Sequence, residues 1–391
     1  MTGSLASGTD TNKSLADLVV SAGRVIDPIS GSDKPGWVAV NGGRIALTGD
    51  AGAGSPAAKE RLDFPDGILL PGLIDMHAHP ALENSRYGID PDIHMLARGS
   101  TTVLSQGDAG ARNWTQYREQ VIEGRKTRVM MALHISRNGE SDPAGPFTEL
   151  DFADVAECVA AIEGDDSGAI WGITVNTSVM TCGTSDPHEI LRRALEAAEA
   201  TGKPLLFGPR RAPGWELEDQ LDLLRPDDVF TYCSDPSETS LVADGRVRDC
   251  ARRARERGVL FDLGHGQTSI NFEVLRAMVD EGFLPDTISS DVYSRHLGMT
   301  PHHDLPLVMS KVRVAGMDEV DIWPRVTSVP ALHLGLEGEI GTLAPGSCGD
   351  LSVLRWDPEP RPHADAAGNE LEGGMYLPVV TVRGGEVFQP V

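Results

Sequence analysis

Cysteine is scarce in this chain: Cys158, Cys182, Cys233, Cys250 and Cys348 make an odd number, and none pairs as C-x-x-C. That pattern argues against a disulfide-stapled scaffold and suits a reducing compartment. Basic residues are also few, 34 Lys and Arg against 58 Asp and Glu, for a formal net charge of −24. Such a surface repels phosphate backbones and anionic bilayers, so it disfavours nucleic acid and membrane as partners, but charge alone says little about which small-molecule substrate is bound. No apolar run approaches the roughly 20 residues that a membrane-spanning helix needs. The opening MTGSLASGTDTNKSLADLVV is polar and lacks the basic start and apolar stretch of a secretory signal, which predicts a cytoplasmic protein with a frayed N-terminal tail. Homo-oligomerisation stays open on this evidence.

What is present is an ordinary globular composition, 40% hydrophobic and 24% charged, over 391 residues. One hydrophobic core stops growing near 250 to 300 residues, so two structural bodies are expected. The segments DLVVSAGRVID and GWVAVNGGRIALTGD alternate apolar and polar residues around Gly42-Gly43, a hairpin signal, and DLSVLRW and PVVTVRGGEVF do the same near the end. Residues 1–66 and 339–391 are therefore expected to build one small β-sandwich together. Between them, in 67–338, eight apolar runs alternate with helical stretches: GILLPGLIDMHAH, STTVLSQ, TRVMMALHI, GAIWGITV, PLLFGP, DVFTYC, GVLFDLGH and TISSDVY. Strand–helix alternation of this kind predicts an α/β fold, a (β/α)₈ TIM-like barrel, with reactive side chains at the carboxyl ends of its strands.

Those strand ends carry His77, His79, Gln106, His134, Thr174, Gly208, Tyr232, His265 and Asp291. In His77-Ala78-His79 two imidazoles share one face of an extended strand, an arrangement that lets one divalent cation take both. Arg137, following His134 and Ser136, has the fork geometry to clamp a carboxylate, and Arg210 and Arg211 put positive charge at the mouth after the fifth strand. Tyr232 offers a hydroxyl to a developing oxyanion.

The string LLPGLIDMHAH resembles the entry motif of the amidohydrolase superfamily, and the likeness continues through RGSTTVLSQGDAG, FDLGHG, ISSDVY, LPLVMSK and GTLAPGSCGDLSVL. Its nearest branch looks dihydroorotase-like and deacetylase-like. The resemblance implies a hydrolase acting on carbon–nitrogen bonds other than peptide bonds, or on esters, with divalent metal, usually Zn²⁺. It also implies that His77 and His79 are metal ligands. Asp291 then becomes both a metal ligand and the catalytic base and acid, and His265 faces substrate; His134 is a further substrate-binding candidate from its place at the end of the third strand.

Two-metal members of that superfamily carry a carboxylated lysine at the end of the fourth strand and histidines ending the fifth and sixth. Here those places hold Thr174, Gly208 and Tyr232, so a single metal, held by His77, His79 and Asp291, is expected. Cys182 and Cys233 are alternative thiolate ligands, and His302 and His303 read as surface or lid residues. The missing ligands leave two further readings in play. One is a diverged enzyme catalysing a lyase, decarboxylase or isomerase step, and the other is a barrel that only binds its ligand.

Overall fold

The computed structural model describes residues 15–81, 85–140, 142–143 and 145–390. The expected tail falls mainly on residues 1–14, outside the described residues. Seven strands form one parallel sheet in chain order: Leu73–Ala78, Ser100–Gly110, Arg128–His134, Ile170–Asn176, Leu205–Gly208, Val229–Phe230 and Leu260–Phe261. The eighth run, TISSDVY, closes the ring as an extended segment, bridging Thr287 to Asp262 on one side and Val292 to Ala78 on the other. Backbone bonds from Leu263 N to Thr287 O (3.0 Å) and from His79 N to Val292 O (3.0 Å) seal both seams.

The sheet is buried on both faces, as parallel strands under crossover helices must be. Val103, Met131, Leu133, Ile173, Val175 and Phe207 pack outward against helices, while Leu104, Met130, Ala132, Leu206 and Val229 fill the interior with Ile74 and Met76. The helix Pro187–Thr201 shows how locally the covering layer is specified. Asp186 caps its first turn, Pro187 opens it, Gly202 (φ +64) ends it, and Ile190, Leu191, Ala194, Ala197 and Ala198 line its buried face.

Both chain ends meet in a second seven-stranded sheet, where Ala58–Pro71 pairs antiparallel with Leu351–Ala364 and parallel with Ala16–Asp27. Gly42-Gly43 and Gly384-Gly385 turn its hairpins, all four at positive φ, which glycine adopts at no steric cost. Residues 67–71, read from sequence as the start of the barrel, run in this sheet, and the chain enters the barrel after Gly72. No helix among the described residues is long and apolar enough to cross a membrane.

Candidate metal centre

The first barrel strand carries one residue more than its neighbour between the pairs Asp75–Val103 and Ala78–Ser105. A bulge re-aims the side chains beyond it. Ile74 and Met76 point into the interior cluster, whereas His77 and His79 turn to meet Asp291 from the closing segment. Asp291 sits at φ +47, and its N–H donates to His77 O at 2.7 Å, which ties the closing segment to the bulged strand. Its Oδ1 lies 3.5 Å from His77 Nε2 and 3.3 Å from His79 Nε2. One ligand atom from each of the three residues falls within 4.8 Å of the others, and all three residues are buried.

Hydrogen bonds behind the rings decide which nitrogen faces forward. Thr231 spends its hydroxyl proton on Asp262 Oδ2 (2.8 Å), so it accepts from His77 Nδ1 at 2.9 Å. Asp262 is held in turn by the hydroxyls of Thr287 (2.6 Å) and Ser289 (2.7 Å). His79 donates through Nδ1 to Asp108 Oδ1 at 2.9 Å, and Ser105 Oγ donates to the other Asp108 oxygen at 2.6 Å. Both imidazoles therefore present Nε2 to Asp291, the outer-shell arrangement that orients histidine ligands on a metal.

Burial opposes charge on both rings, yet Asp291 and Asp262 raise the pKa of His77, and Asp108 with Asp291 lifts His79 well above the usual imidazole range. His77 Nε2 bonds Gln106 Oε1 at 2.9 Å, so it carries a proton there that a cation would replace. Asp291 Oδ1 is buried and, with only the two Nε2 atoms at 3.3–3.5 Å beside it, makes no hydrogen bond of good geometry among the described residues, so a cation between the three would satisfy it. The three residues thus fit a divalent ion with an open position.

Beside them lies a cavity of about 90 Å³ lined by Glu140, Asn176, Arg211, Tyr232 and Tyr293 among others. The Tyr232 hydroxyl is 3.4 Å from His77 Nε2, and burial holds its pKa well above the ordinary value, so it remains a donor. Arg211 lies over the Tyr232 ring at 4.7 Å and is anchored by Asp235 at 2.8 Å. Glu140 is buried, takes a bond from Asn176 Nδ2 at 3.2 Å through Oε1, and leaves Oε2 without a partner among the described residues. Tyr87 and Tyr293 wall the side next to the His79 ring, 5.1 and 5.8 Å away.

No protein-family model matches the chain. A deacetylase of Enterococcus faecalis is 28% identical over 380 residues, covering 95% of this chain and 99% of the relative. A dihydroorotase of Pelobacter propionicus is 22% identical over 402 residues, covering 86% of this chain and 89% of its own. Among solved structures, that of an adenine deaminase superposes with a TM-score of 0.85 at 27% identity, spanning 96% of this chain and all of the other. Relatives and structural neighbours alike support the amidohydrolase superfamily.

Other contacts occupy the three positions where the resemblance led to an expectation of further ligands. Thr174 is fully buried and donates to Leu206 O at 3.0 Å. At Gly208 any side chain would begin 3.1 Å from Asn176 Cγ, so the space of a fifth-strand ligand is taken by the amide that holds Glu140. Neither expected thiolate joins the cluster. Cys182 sits against Asn176 O with its pKa pushed by burial to about 12, and Cys233 is pushed well above the ordinary thiol range by the same cause.

The expected substrate residues His134, Arg137, Arg210 and His265 are not among those that line the cavity beside His79 and Asp291. His134 accepts from Ser136 N at 3.0 Å and packs on Phe147, buried, with its pKa lowered to about 3 by that burial. Arg137 lies over the Phe152 ring at 4.4 Å. Arg210 reaches Thr177 O at 3.3 Å, and its neighbour Arg211 lines the cavity. His265 faces Lys311 Nζ at 2.8 Å, away from the metal ligands. His302 is exposed as expected, but His303 is not a surface residue: it is buried because its Nε2 donates to Ser290 O at 2.8 Å.

Sequence reasoning passed over Asp108, Glu140, Asn176, Thr231 and Asp262. Asp108 had a legible signal, two residues beyond Gln106 on a strand. Thr231 adjoins Tyr232, and Asp262 lies in the seventh apolar run, three residues before His265. Glu140 had none, because it follows the third strand in irregular chain.

Proposed function

We propose that this chain cleaves the C–N bond of a small N-acyl compound or cyclic amide, using one divalent cation, Zn²⁺ by the chemistry of its ligands. The observation that carries the reading is the convergence of His77 Nε2, His79 Nε2 and Asp291 Oδ1 on one point beside the cavity. A cation bound there supplies Lewis acidity toward the scissile carbonyl and acidifies an attacking water. Asp291 takes the proton of that water and delivers it to the leaving nitrogen, a role its position beside both imidazoles suits. Tyr232 donates its hydroxyl to the carbonyl oxygen as negative charge builds there, with Arg211 fixing its ring from behind.

The cavity of about 90 Å³ holds the reacting carbonyl and little more, so the remainder of the substrate lies at the rim beside Tyr293 and Arg295. Relatives named deacetylase, dihydroorotase and adenine deaminase all break non-peptide C–N bonds, in keeping with this reading. An ester of similar shape presents the same carbonyl to the same groups.

The test is a panel of N-acyl amino acids, cyclic imides and lactones, assayed on protein of measured metal content. Turnover of an amide at about one equivalent of metal, lost on chelation and restored by Zn²⁺, is expected. Full turnover of the amide by metal-free protein would overturn the metal-dependent mechanism, and a metal-replete protein that turns over no member of the panel would overturn hydrolysis.

A further inference from the structure

A second cavity, of about 440 Å³, opens between the barrel and the terminal sheet. Its walls are the Gly266–Gln267 turn, the segment Met299–Pro301, the helix Leu305–Val314 and residues 362–366. It gathers His265, His296, His303 and Lys311, all at most 9% exposed, in a chain whose net charge is −24. Its one carboxylate, Asp365, is already spent. Oδ2 accepts from Phe272 N and Asn369 Nδ2, and Oδ1 from Ala367 N and Asn369 N.

Proton accounting shows what the cavity offers. His265 Nδ1 donates to Gly266 O (2.6 Å) and His303 Nε2 to Ser290 O (2.8 Å), because carbonyls only accept. His265 Nε2 is then a bare acceptor and takes one proton of the Lys311 ammonium at 2.8 Å. Two N–H bonds of Lys311 are left over. His296 Nδ1 accepts from Tyr293 N (3.2 Å), so its proton sits on Nε2, which is buried near the Gly266 backbone and makes no hydrogen bond of good geometry among the described residues. Parallel stacking on His303, with ring centroids 3.8 Å apart, holds the His296 ring in place.

Buried donors without acceptors cost free energy unless a ligand satisfies them. Among the described residues the Lys311 ammonium bonds only a neutral imidazole, the costlier case, and burial lowers its pKa to about 8, with Asp365 only partly offsetting it. We propose that this cavity is a binding site for a small oxyanion, a carboxylate or a phosphate, which takes the unspent hydrogens of Lys311 and His296 Nε2. The site is distinct from the metal centre. The chain around Gly266 separates them, with Asp291 Oδ2 against one side of Gly266 and His265 turned to Lys311 on the other.

The experiment titrates inorganic phosphate and, separately, acetate into the full chain at constant ionic strength set with chloride, reading melting temperature and calorimetric heat. Three proteins are compared: wild type, Lys311→Met and His77→Ala. At least one of the anions is expected to raise the melting temperature of wild type and His77→Ala alike, with affinity at least tenfold weaker in Lys311→Met. The anion that binds tells phosphate from carboxylate. Should Lys311→Met fail to fold, His296→Phe, which keeps a stacking ring and removes the Nε2 donor, takes its place with the same expectation. Equal binding to wild type and the cavity variant, loss of binding in His77→Ala, or no effect of either anion on wild type would each overturn the proposal.

Discussion

Asp108 takes the Nδ1 proton of His79 at 2.9 Å, and Ser105 pins its second oxygen at 2.6 Å. The ring of His79 is thereby fixed with Nε2 toward Asp291 before any cation arrives. Replacing Asp108 by Ala frees the ring to rotate and to take the other tautomer. Outer-shell partners of this kind are worth roughly 10- to 100-fold in metal affinity. The expected result is that loss in Asp108→Ala, measured by competition with a chromophoric chelator, in protein that still folds. Unchanged affinity would mean that Asp108 only packs.

In the proposed mechanism Asp291 both closes the ligand set and takes the proton of the attacking water. In Asp291→Asn the amide oxygen still offers a lone pair to a cation, but the side chain no longer accepts a proton. Metal is therefore expected to stay bound, with kcat reduced by a factor of about 10² or more. Near wild-type turnover in metal-loaded protein removes Asp291 from proton transfer.

The residues that were legible in the sequence are those whose direction follows from strand periodicity. His77 and His79 are two apart on a strand, and Asp291 ends the last apolar run, so the barrel alone brings them to one rim. Where direction depends on irregular backbone, sequence was silent or misleading. Of the adjacent Arg210 and Arg211, the loop conformation alone chooses the second for the cavity. His303 reads as a surface residue until the Ser290 carbonyl is seen to hold it inside. The unbroken apolar run GILLPGLIDMHAH hides the passage from one sheet to the other, since both halves are equally buried. The bulge that turns both histidines toward Asp291 has no signature in residue type at all.

Gly266 lies at φ +49, and a Cβ there would come within 2.4 Å of Asp291 Oδ2. Alanine at this position pays a backbone cost of about 1–2 kcal/mol and must also push the carboxylate off its place between the imidazoles. Gly298 makes the control: it too has positive φ, +79, but nothing stands within 4 Å of its added Cβ. Both Gly266→Ala and Gly298→Ala are expected to lower the melting temperature by a few degrees. Only Gly266→Ala should lose turnover, by tenfold or more. Equal activity in the two variants would show that Asp291 tolerates displacement.

Burial raises the Glu140 carboxyl to about 7 from the ordinary 4.5, and the nearby His79 offsets only part of that. The folded chain therefore binds this proton more tightly than the unfolded chain does. The stability it contributes is fully present below pH 4.5 and is lost as pH rises through 7. Across that window the linkage amounts to roughly 3 kcal/mol. Glutamine at this position keeps the acceptor for Asn176 Nδ2 but does not titrate. Denaturant unfolding of metal-free protein should find wild type and Glu140→Gln similar near pH 4.5, with the variant increasingly the more stable as pH rises to 8. Parallel curves over that range would mean that Glu140 ionises without penalty, and that its second oxygen finds a partner in solution.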